Sequence, residues 1–170
     1  MLDNWRYFFP GKVTISSVSG PSVPLENGEQ FLALLHAVVA VLAEQDLVLF
    51  TANLALVEEL NTCHKLYARD AFREALLPVT VHTLLGVLLA RSHELLRDAV
   101  LAALYNMASV DFAAFFHAYV PEFVRQAQGG GEVDVGAILA QLGTELDMPT
   151  FTAGLDAFLS DLALQLAKVA

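Results

Sequence analysis

The residues of this chain best suited to metal binding or nucleophilic catalysis are five histidines and one cysteine. His93 and Glu94 begin like a helical zinc-protease motif, in which a second histidine four residues later completes the metal pair. Arg97 stands there instead, so the second imidazole is missing. Cys63 and His64 are adjacent, which on a helix separates their directions by about 100°. Neither arrangement predicts a metal site or a nucleophile with its base.

Paired carboxylates and a glycine-rich segment are the other features that suggest chemistry. Glu58 with Glu59, and Asp156 with Asp161, are expected on solvated helix faces, where nothing would shift their pKa values toward catalytic use. The segment GGGEVDVG, residues 129–136, follows a predicted helix and has no Lys-Ser/Thr pair, so it is interpreted as a linker. We predict no catalytic, cofactor-binding or metal-binding residue and no cofactor. A hydrolase would need a converging nucleophile and base, which the sequence does not show.

An aromatic run in segment 108–124 could be a ligand site, a membrane anchor or part of a core. Its members follow one another at steps of 3, 1, 3 and 4 residues and so form one helical stripe: Phe112, Phe115, Phe116, Tyr119 and Phe123. A stripe of this kind favours a core over a ligand site. Pro121 lacks the N–H that would bind the carbonyl of His117, which predicts a kink there.

The composition is unusually apolar, with 56% hydrophobic and 16% charged residues and a mean hydropathy of +0.54. Such a chain either meets a membrane or buries more than one face of its helices. A spanning helix needs about 20 nearly uninterrupted apolar residues. Segments 31–43 and 75–90 fall short of this because polar residues interrupt them, so buried core helices are favoured. The amino terminus shows no pattern of a secretory signal.

Charge and cysteine content limit the partners. The chain has 19 acidic and 9 basic residues, a formal charge of -10. This excess argues against nonspecific binding of nucleic acid or anionic membranes and favours protein partners. A single cysteine, Cys63, suits a reducing compartment inside the cell.

Helical periodicity continues along the chain, which predicts an all-α fold. Residues 1–24 are predicted to be a short opening helix, 2–9, and a Ser/Gly/Pro-rich loop, 10–24. Residues 25–170 are predicted to hold helices at roughly 26–44, 46–62, 67–91 with a bend near Pro78, 92–109, 111–127, 133–144 and 148–168. The expected amino-terminal caps are Asp46, Ser92, Asp111 and Asp147. The short connections predict antiparallel neighbours.

A weak internal repeat places segment 31–62 on segment 78–109, with Leu49 on Leu96 and Leu54 on Leu101. A two-helix unit repeating at about 40 to 47 residues is typical of HEAT-type or armadillo-type solenoids. Chance similarity between two apolar hairpins is the alternative. A solenoid also explains the composition, because each hairpin buries one face against the unit before it and another against the unit after it.

The last helix has the pattern of a terminal capping helix. Its apolar stripe consists of Phe151, Leu155, Phe158, Leu159, Leu162 and Leu166, and the residues mostly opposite are Thr152, Asp156, Asp161 and Gln165. The predicted architecture is thus an α-solenoid of about three HEAT-type antiparallel hairpins closed by this helix.

Several stretches, taken in order, resemble the carboxy-terminal end of an exportin, a nuclear export receptor of the importin-β superfamily. They are LDNWRYFF (2–9), ELNTCHKLY (59–67), RSHELL (91–96), YNMASVDFAAFFHAYVPEFV (105–124) and LDMPTFTAGLDAFLSDL (146–162). Segments 10–24 and 125–143 depart from the family pattern. Full receptors of this family are many times longer, so we expect the chain to be a carboxy-terminal fragment.

The resemblance implies a HEAT-repeat receptor that shuttles between nucleus and cytoplasm. Such a receptor binds cargo together with Ran-GTP, passes nuclear pore proteins and releases both after GTP hydrolysis. The exportin that the chain resembles carries actin bound to profilin. No motif for partner contact transfers to numbered residues, so the partner-binding residues are unknown. We also expect an apolar face near the first helices, with Trp5, Tyr7 and Phe8. The alternative is a freestanding helical bundle that binds an apolar ligand or a protein partner.

Overall fold

The computed structural model describes residues 28–42, 46–127 and 147–169, and these residues form helices with no strand among them. The helices are α1 (Gly28–Val41), α2 (Leu47–His64), α3 (Asp70–Ala75), α4 (Leu77–Ala90), α5 (Arg97–Ala108), α6 (Phe112–Ala127) and α7 (Met148–Val169). The predicted all-α class is therefore confirmed. The predicted helices 2–9 and 133–144 and the loop 10–24 lie outside the described residues, so the division after residue 24 stays a prediction.

Side-chain caps begin three of the helices as predicted. The Asp46 carboxylate accepts from the N–H groups of Val48 and Leu49 at 2.9 and 3.0 Å. Asp111 accepts from the N–H of Ala114 and Asp147 from that of Thr150. Each carboxylate satisfies amides that have no partner within the first turn of a helix.

The prediction that Ser92 caps a helix is wrong. The N–H groups of Arg91 and Ser92 donate to the carbonyls of Leu88 and Val87, and Arg91 has φ 52°. This is the hydrogen-bond pattern that ends a helix, so Ser92 belongs to the end of α4. A short 3₁₀ turn, Glu94–Leu96, then leads into α5.

The predicted helix 67–91 is divided into shorter elements. A 3₁₀ turn, Leu66–Ala68, precedes α3, and Leu76, with φ -120°, separates α3 from α4. Pro78 occupies the first turn of α4, where its missing N–H removes no helical hydrogen bond. The bend expected near Pro78 is thus a break between two helices.

The helices pack as successive hairpins. α1 contacts α2, and α4 contacts α5; α2 in turn packs on α5. Near the start of α2, the centre of the Phe50 ring lies 4.3 Å from that of His93, just ahead of α5. Further along α2, Glu58 accepts a hydrogen bond from Asn106, near the end of α5. α2 and α5 therefore run in the same direction, as the second helices of consecutive repeat units must.

The last helix covers the other side of the second hairpin. α7 contacts α4 and α5, and it runs antiparallel to α5, because Phe151 meets Tyr105 while Asp156 pairs with Arg97. The predicted stripe is buried except for Leu166, which is partly buried. Of the residues predicted on the opposite face, Asp161 is exposed, whereas three are only half-buried: Thr152, Asp156 and Gln165. The apolar Leu164 is also 61% exposed.

The apolar segments proposed as core helices lie in α1 and α4, whose inner faces are buried. Within the described ranges, no single helix has both the length and the apolar composition to cross a membrane. The pair Glu94–Ala108 and Phe112–Ala127, bent by 114°, reaches both only when taken together.

Candidate functional site

The residues with potential for chemistry are distributed over separate helices. His93 is buried against Phe50, whereas Cys63 and His64 are exposed at the end of α2. His82 Nε2 lies 2.9 Å from the carbonyl oxygen of Tyr119, so this nitrogen carries the hydrogen and donates. In the part of the chain that the structure describes, no group of three or more His, Cys, Asp or Glu side chains is arranged to hold a metal ion.

Glu58, predicted on a solvated helix face, is half-buried and belongs to a polar junction between three elements. One carboxylate oxygen accepts from the Tyr67 hydroxyl, and the other accepts from Asn106 Nδ2 at 2.7 Å. The Tyr67 N–H donates to the side-chain oxygen of Asn61 at 3.2 Å. Glu58 thus links α2 to the 3₁₀ turn Leu66–Ala68 and to α5. Glu59, one residue further along, is exposed as predicted.

The chemistry of this junction is structural. Tyr67 is fully buried, and its burial, with the adjacent Glu58 carboxylate, raises the pKa of its hydroxyl far above the ordinary tyrosine value. The hydroxyl therefore stays protonated and acts as a donor. The junction holds the first hairpin against the second, which gives the outward side of α2 a defined position.

The aromatic stripe of α6 is part of the core. Phe115, Phe116 and Phe123 are buried, and Phe112 and Tyr119 are partly buried. Phe151 of α7 supplies the shared partner, with its ring centre within 6.3 Å of four others: Tyr105, Phe112, Phe115 and Phe116. The rings pack on one another between α5, α6 and α7, which is the core arrangement that the stripe predicted.

Pro121 changes the local helix in a specific way. Phe115–Tyr119 form a π-helical turn in which the N–H of Val120 donates to the carbonyl of Phe115. Pro121 has no N–H to continue the regular ladder, and π turns are a common way to absorb such an interruption. The predicted distortion therefore lies one turn ahead of the proline.

A second apolar stripe lies on the surface of α2. It follows steps of 3, 4, 4 and 3 residues along Leu49, Ala52, Leu56, Leu60 and Cys63, here named the α2 stripe. Leu49 is 49% and Leu56 39% exposed, Ala52 and Cys63 are exposed, and Leu60 is half-buried. The buried side of the same helix carries a different stripe, Phe50, Leu54 and Val57.

The α2 stripe was absent from the predicted features. Its signal is present in the sequence, because two apolar stripes offset on one helix indicate neighbours on two sides. The apolar face predicted around Trp5, Tyr7 and Phe8 lies outside the described residues. What the structure adds is an apolar surface on the first hairpin itself, where Phe31 and Leu34 of α1 are also exposed.

Comparison with known proteins gives one consistent family. Residues 1–166 match the family described as Exportin-6, C-terminal TPR repeats. The chain is 41% identical over 161 residues to Exportin-6 of Danio rerio and 39% identical over 160 residues to Exportin-6 of Homo sapiens. Exportin-6 of Dictyostelium discoideum is 23% identical over 135 residues. No solved structure matches the chain.

The match covers nearly all of the chain but a small part of its relatives. It includes 94% of this chain and 14% of the zebrafish and human proteins. The family description names TPR repeats, which have about 34 residues, whereas the sequence register found above is in the HEAT and armadillo range of about 40 to 47. Both are two-helix solenoid units, as the hairpins α1–α2 and α4–α5 require. The chain therefore belongs to the exportin-6 family and corresponds to its carboxy-terminal helical repeats.

Proposed function

We propose that the chain is the carboxy-terminal part of a nuclear export receptor that works with Ran-GTP and carries profilin-bound actin out of the nucleus. The observation that carries this proposal is the family match over residues 1–166. The receptor would pass nuclear pore proteins and shuttle between nucleus and cytoplasm. The role of this region is to build and close the solenoid and to bind protein partners, without catalysis of its own.

The structure supports a structural and binding role through the way its hairpins are joined. The Glu58 junction and the Arg97–Asp156 ion pair each connect consecutive layers of the stack. Such contacts set the angle between layers, and that angle determines the curvature of a solenoid and the shape of its binding surface. The alternative of an apolar-ligand carrier lacks this kind of support, because the aromatic rings that could line a ligand site pack on one another.

A domain exchange tests the proposal. The 161-residue matching region of zebrafish Exportin-6 would be replaced by this chain, and export of a fluorescent actin cargo would be followed in cells that lack their own receptor. We expect the exchanged receptor to restore export and to bind Ran-GTP and profilin–actin. A matched control omits the matching region altogether. A folded exchanged receptor that binds neither partner and leaves the cargo in the nucleus would contradict the proposal.

A further inference from the structure

We propose that Lys65 and Arg69, on the turn between α2 and α3, form a binding site for an acidic segment of a partner protein. The pair is here named the basic corner. The inference rests on the proposed function only in assigning protein partners to this region. It gives numbered residues to a contact for which the sequence offered none.

The backbone of Lys65 supplies the first argument. Lys65 follows the last residue of α2 and has φ 52°, in the left-handed region that favours glycine. A side chain at such a position carries a conformational cost that glycine avoids, and positions of this kind are concentrated at functional sites. The Lys65 side chain is exposed and has no hydrogen-bond or ion-pair partner among the residues that the structure describes. Its contact is therefore expected outside the chain.

The position of Arg69 supplies the second argument. Its Nε donates to the carbonyl oxygen of His64 at 3.0 Å, so the guanidinium lies beside the peptide bond that joins His64 to Lys65. Both Nη groups are left without a partner in the described ranges. A guanidinium can bind a carboxylate through two parallel hydrogen bonds. Because this side chain is already held in place, binding through it costs little conformational freedom.

The turn that carries the basic corner is itself fixed. The N–H of Lys65 donates to the carbonyl of Asn61 at 2.8 Å, and the Asn61 side-chain oxygen accepts from the N–H of Tyr67 at 3.2 Å. Tyr67 is fully buried and bonds Glu58 through its hydroxyl. The two positive side chains thus stand on a backbone that needs no rearrangement to receive a ligand.

The charges around the basic corner supply the third argument and select the partner. Residues 60–69 contain no Asp or Glu. Of the flanking acidic residues, Asp70 pairs with Arg73 at 3.4 Å, and Glu59 forms no ion pair with the described side chains. The whole chain repels acidic proteins through its formal charge of -10, so a local pair of positive charges fixes where such a partner can approach.

A direct binding measurement tests the site. The fluorescence anisotropy of a labelled peptide of ten glutamates would be followed during titration with the 170-residue chain. We expect binding at low salt that weakens as salt is added, because exposed charges are screened. Lys65→Gln with Arg69→Gln should weaken binding by about tenfold or more. Arg91→Gln with Arg125→Gln removes the same charge elsewhere and should change binding by less than about twofold. Circular dichroism checks that the helices are intact in each variant.

Glycine variants separate binding from a role at the helix end, where any cation is favourable. Arg91 ends α4 with the same φ of 52° and is the matched position. Lys65→Gly should keep or raise the thermal unfolding midpoint while it weakens peptide binding. Arg91→Gly should affect the midpoint in the same direction and leave binding unchanged.

Four results would overturn the inference. The first is no peptide binding at low salt, and the second is equal weakening by the two double glutamine variants. The third is a Lys65→Gly chain that is less stable but binds the peptide as before, which would assign the lysine to the helix end alone. The fourth is tighter binding of a ten-residue uridine RNA that the same variants abolish, which would assign the corner to nucleic acid. Each can occur while the exchanged receptor still exports actin, so this inference and the proposed function fail separately.

Discussion

Truncation of Phe151 should release α7 from the stack. The side chain is fully buried, and its ring centre lies 5.5 Å from that of Tyr105 and 5.6 Å from that of Phe115. Removing a buried phenylalanine side chain costs about 3 to 5 kcal/mol, and favourable ring pairs contribute about 0.5 to 1.5 kcal/mol beyond burial. Because Phe112, Phe115 and Phe116 still pack on one another, the ring terms are lost only in part. We expect Phe151→Ala to lower the free energy of unfolding by about 4 kcal/mol.

A loss of this size is a large share of the roughly 5 to 15 kcal/mol that stabilises a typical domain. Urea denaturation followed by circular dichroism measures the loss, and hydrogen exchange by mass spectrometry locates it, with α7 losing protection first. Phe151→Leu, which keeps most of the volume, should cost less than about 1.5 kcal/mol. Leu164→Ala, on the exposed side of the same helix, should stay within about 0.5 kcal/mol. A loss below about 1 kcal/mol for Phe151→Ala, or an α7 protected as in the unchanged chain, would refute the reasoning.

Three further predictions concern polar contacts. The raised pKa of Tyr67 means that its stabilising contribution is complete below pH 10.0 and is lost as the pH rises above that value; the loss is about 1.4 kcal/mol per pH unit. Tyr67→Phe should abolish this alkaline loss. Urea denaturation at about pH 9 and about pH 11 measures the fall in unfolding free energy of both proteins. An equal fall in the two proteins would contradict the role of the Glu58 junction. Asp156→Asn breaks the ion pair with Arg97. Because Asp156 is 42% exposed, the free energy of unfolding, measured by urea denaturation, should fall by less than about 1 kcal/mol. A fall above about 2 kcal/mol would show that solvent does not screen the pair. Asp147→Ala should lower the free energy of unfolding and expose the first turn of α7 to hydrogen exchange. The pKa of Asp147 is lowered by hydrogen bonds from Thr150. Its contribution to the free energy of unfolding is therefore present above the ordinary carboxyl range and disappears as the pH falls through the lowered pKa. Asp147→Asn should show no such loss of stability in acid.

Local signals predicted the helices well where the chain itself supplies the cause. Asp46, Asp111 and Asp147 begin helices because a carboxylate two or three residues ahead reaches free N–H groups regardless of the rest of the fold. Ser92 has the same chemistry but lies at the end of α4, where Arg91 and Ser92 close the helix through backbone hydrogen bonds. Two local solutions compete at this position, and the structure adopts the one that closes α4.

Contacts between distant residues explain the other differences. Glu58 and Glu59 look equivalent in the sequence, yet Glu58 bonds Asn106, 48 positions away, while Glu59 faces water. The aromatic stripe of α6 was correctly assigned to the core, but its main partner, Phe151, lies in another helix. The α2 stripe was missed because the sequence does not tell which of the two apolar stripes of α2 is buried, and the structure buries Phe50, Leu54 and Val57.

The amino-acid order alone determined the all-α class, the position of most helix starts, the repeated hairpin and the family, since each follows from short-range periodicity, capping or a run of specific residues. Tertiary packing alone decided which carboxylate is bonded, how the segment around Pro78 divides and which side of α2 is left open. These features depend on side chains that meet only after the hairpins stack, because burial, unlike helical periodicity, is a property of a residue's neighbours in space.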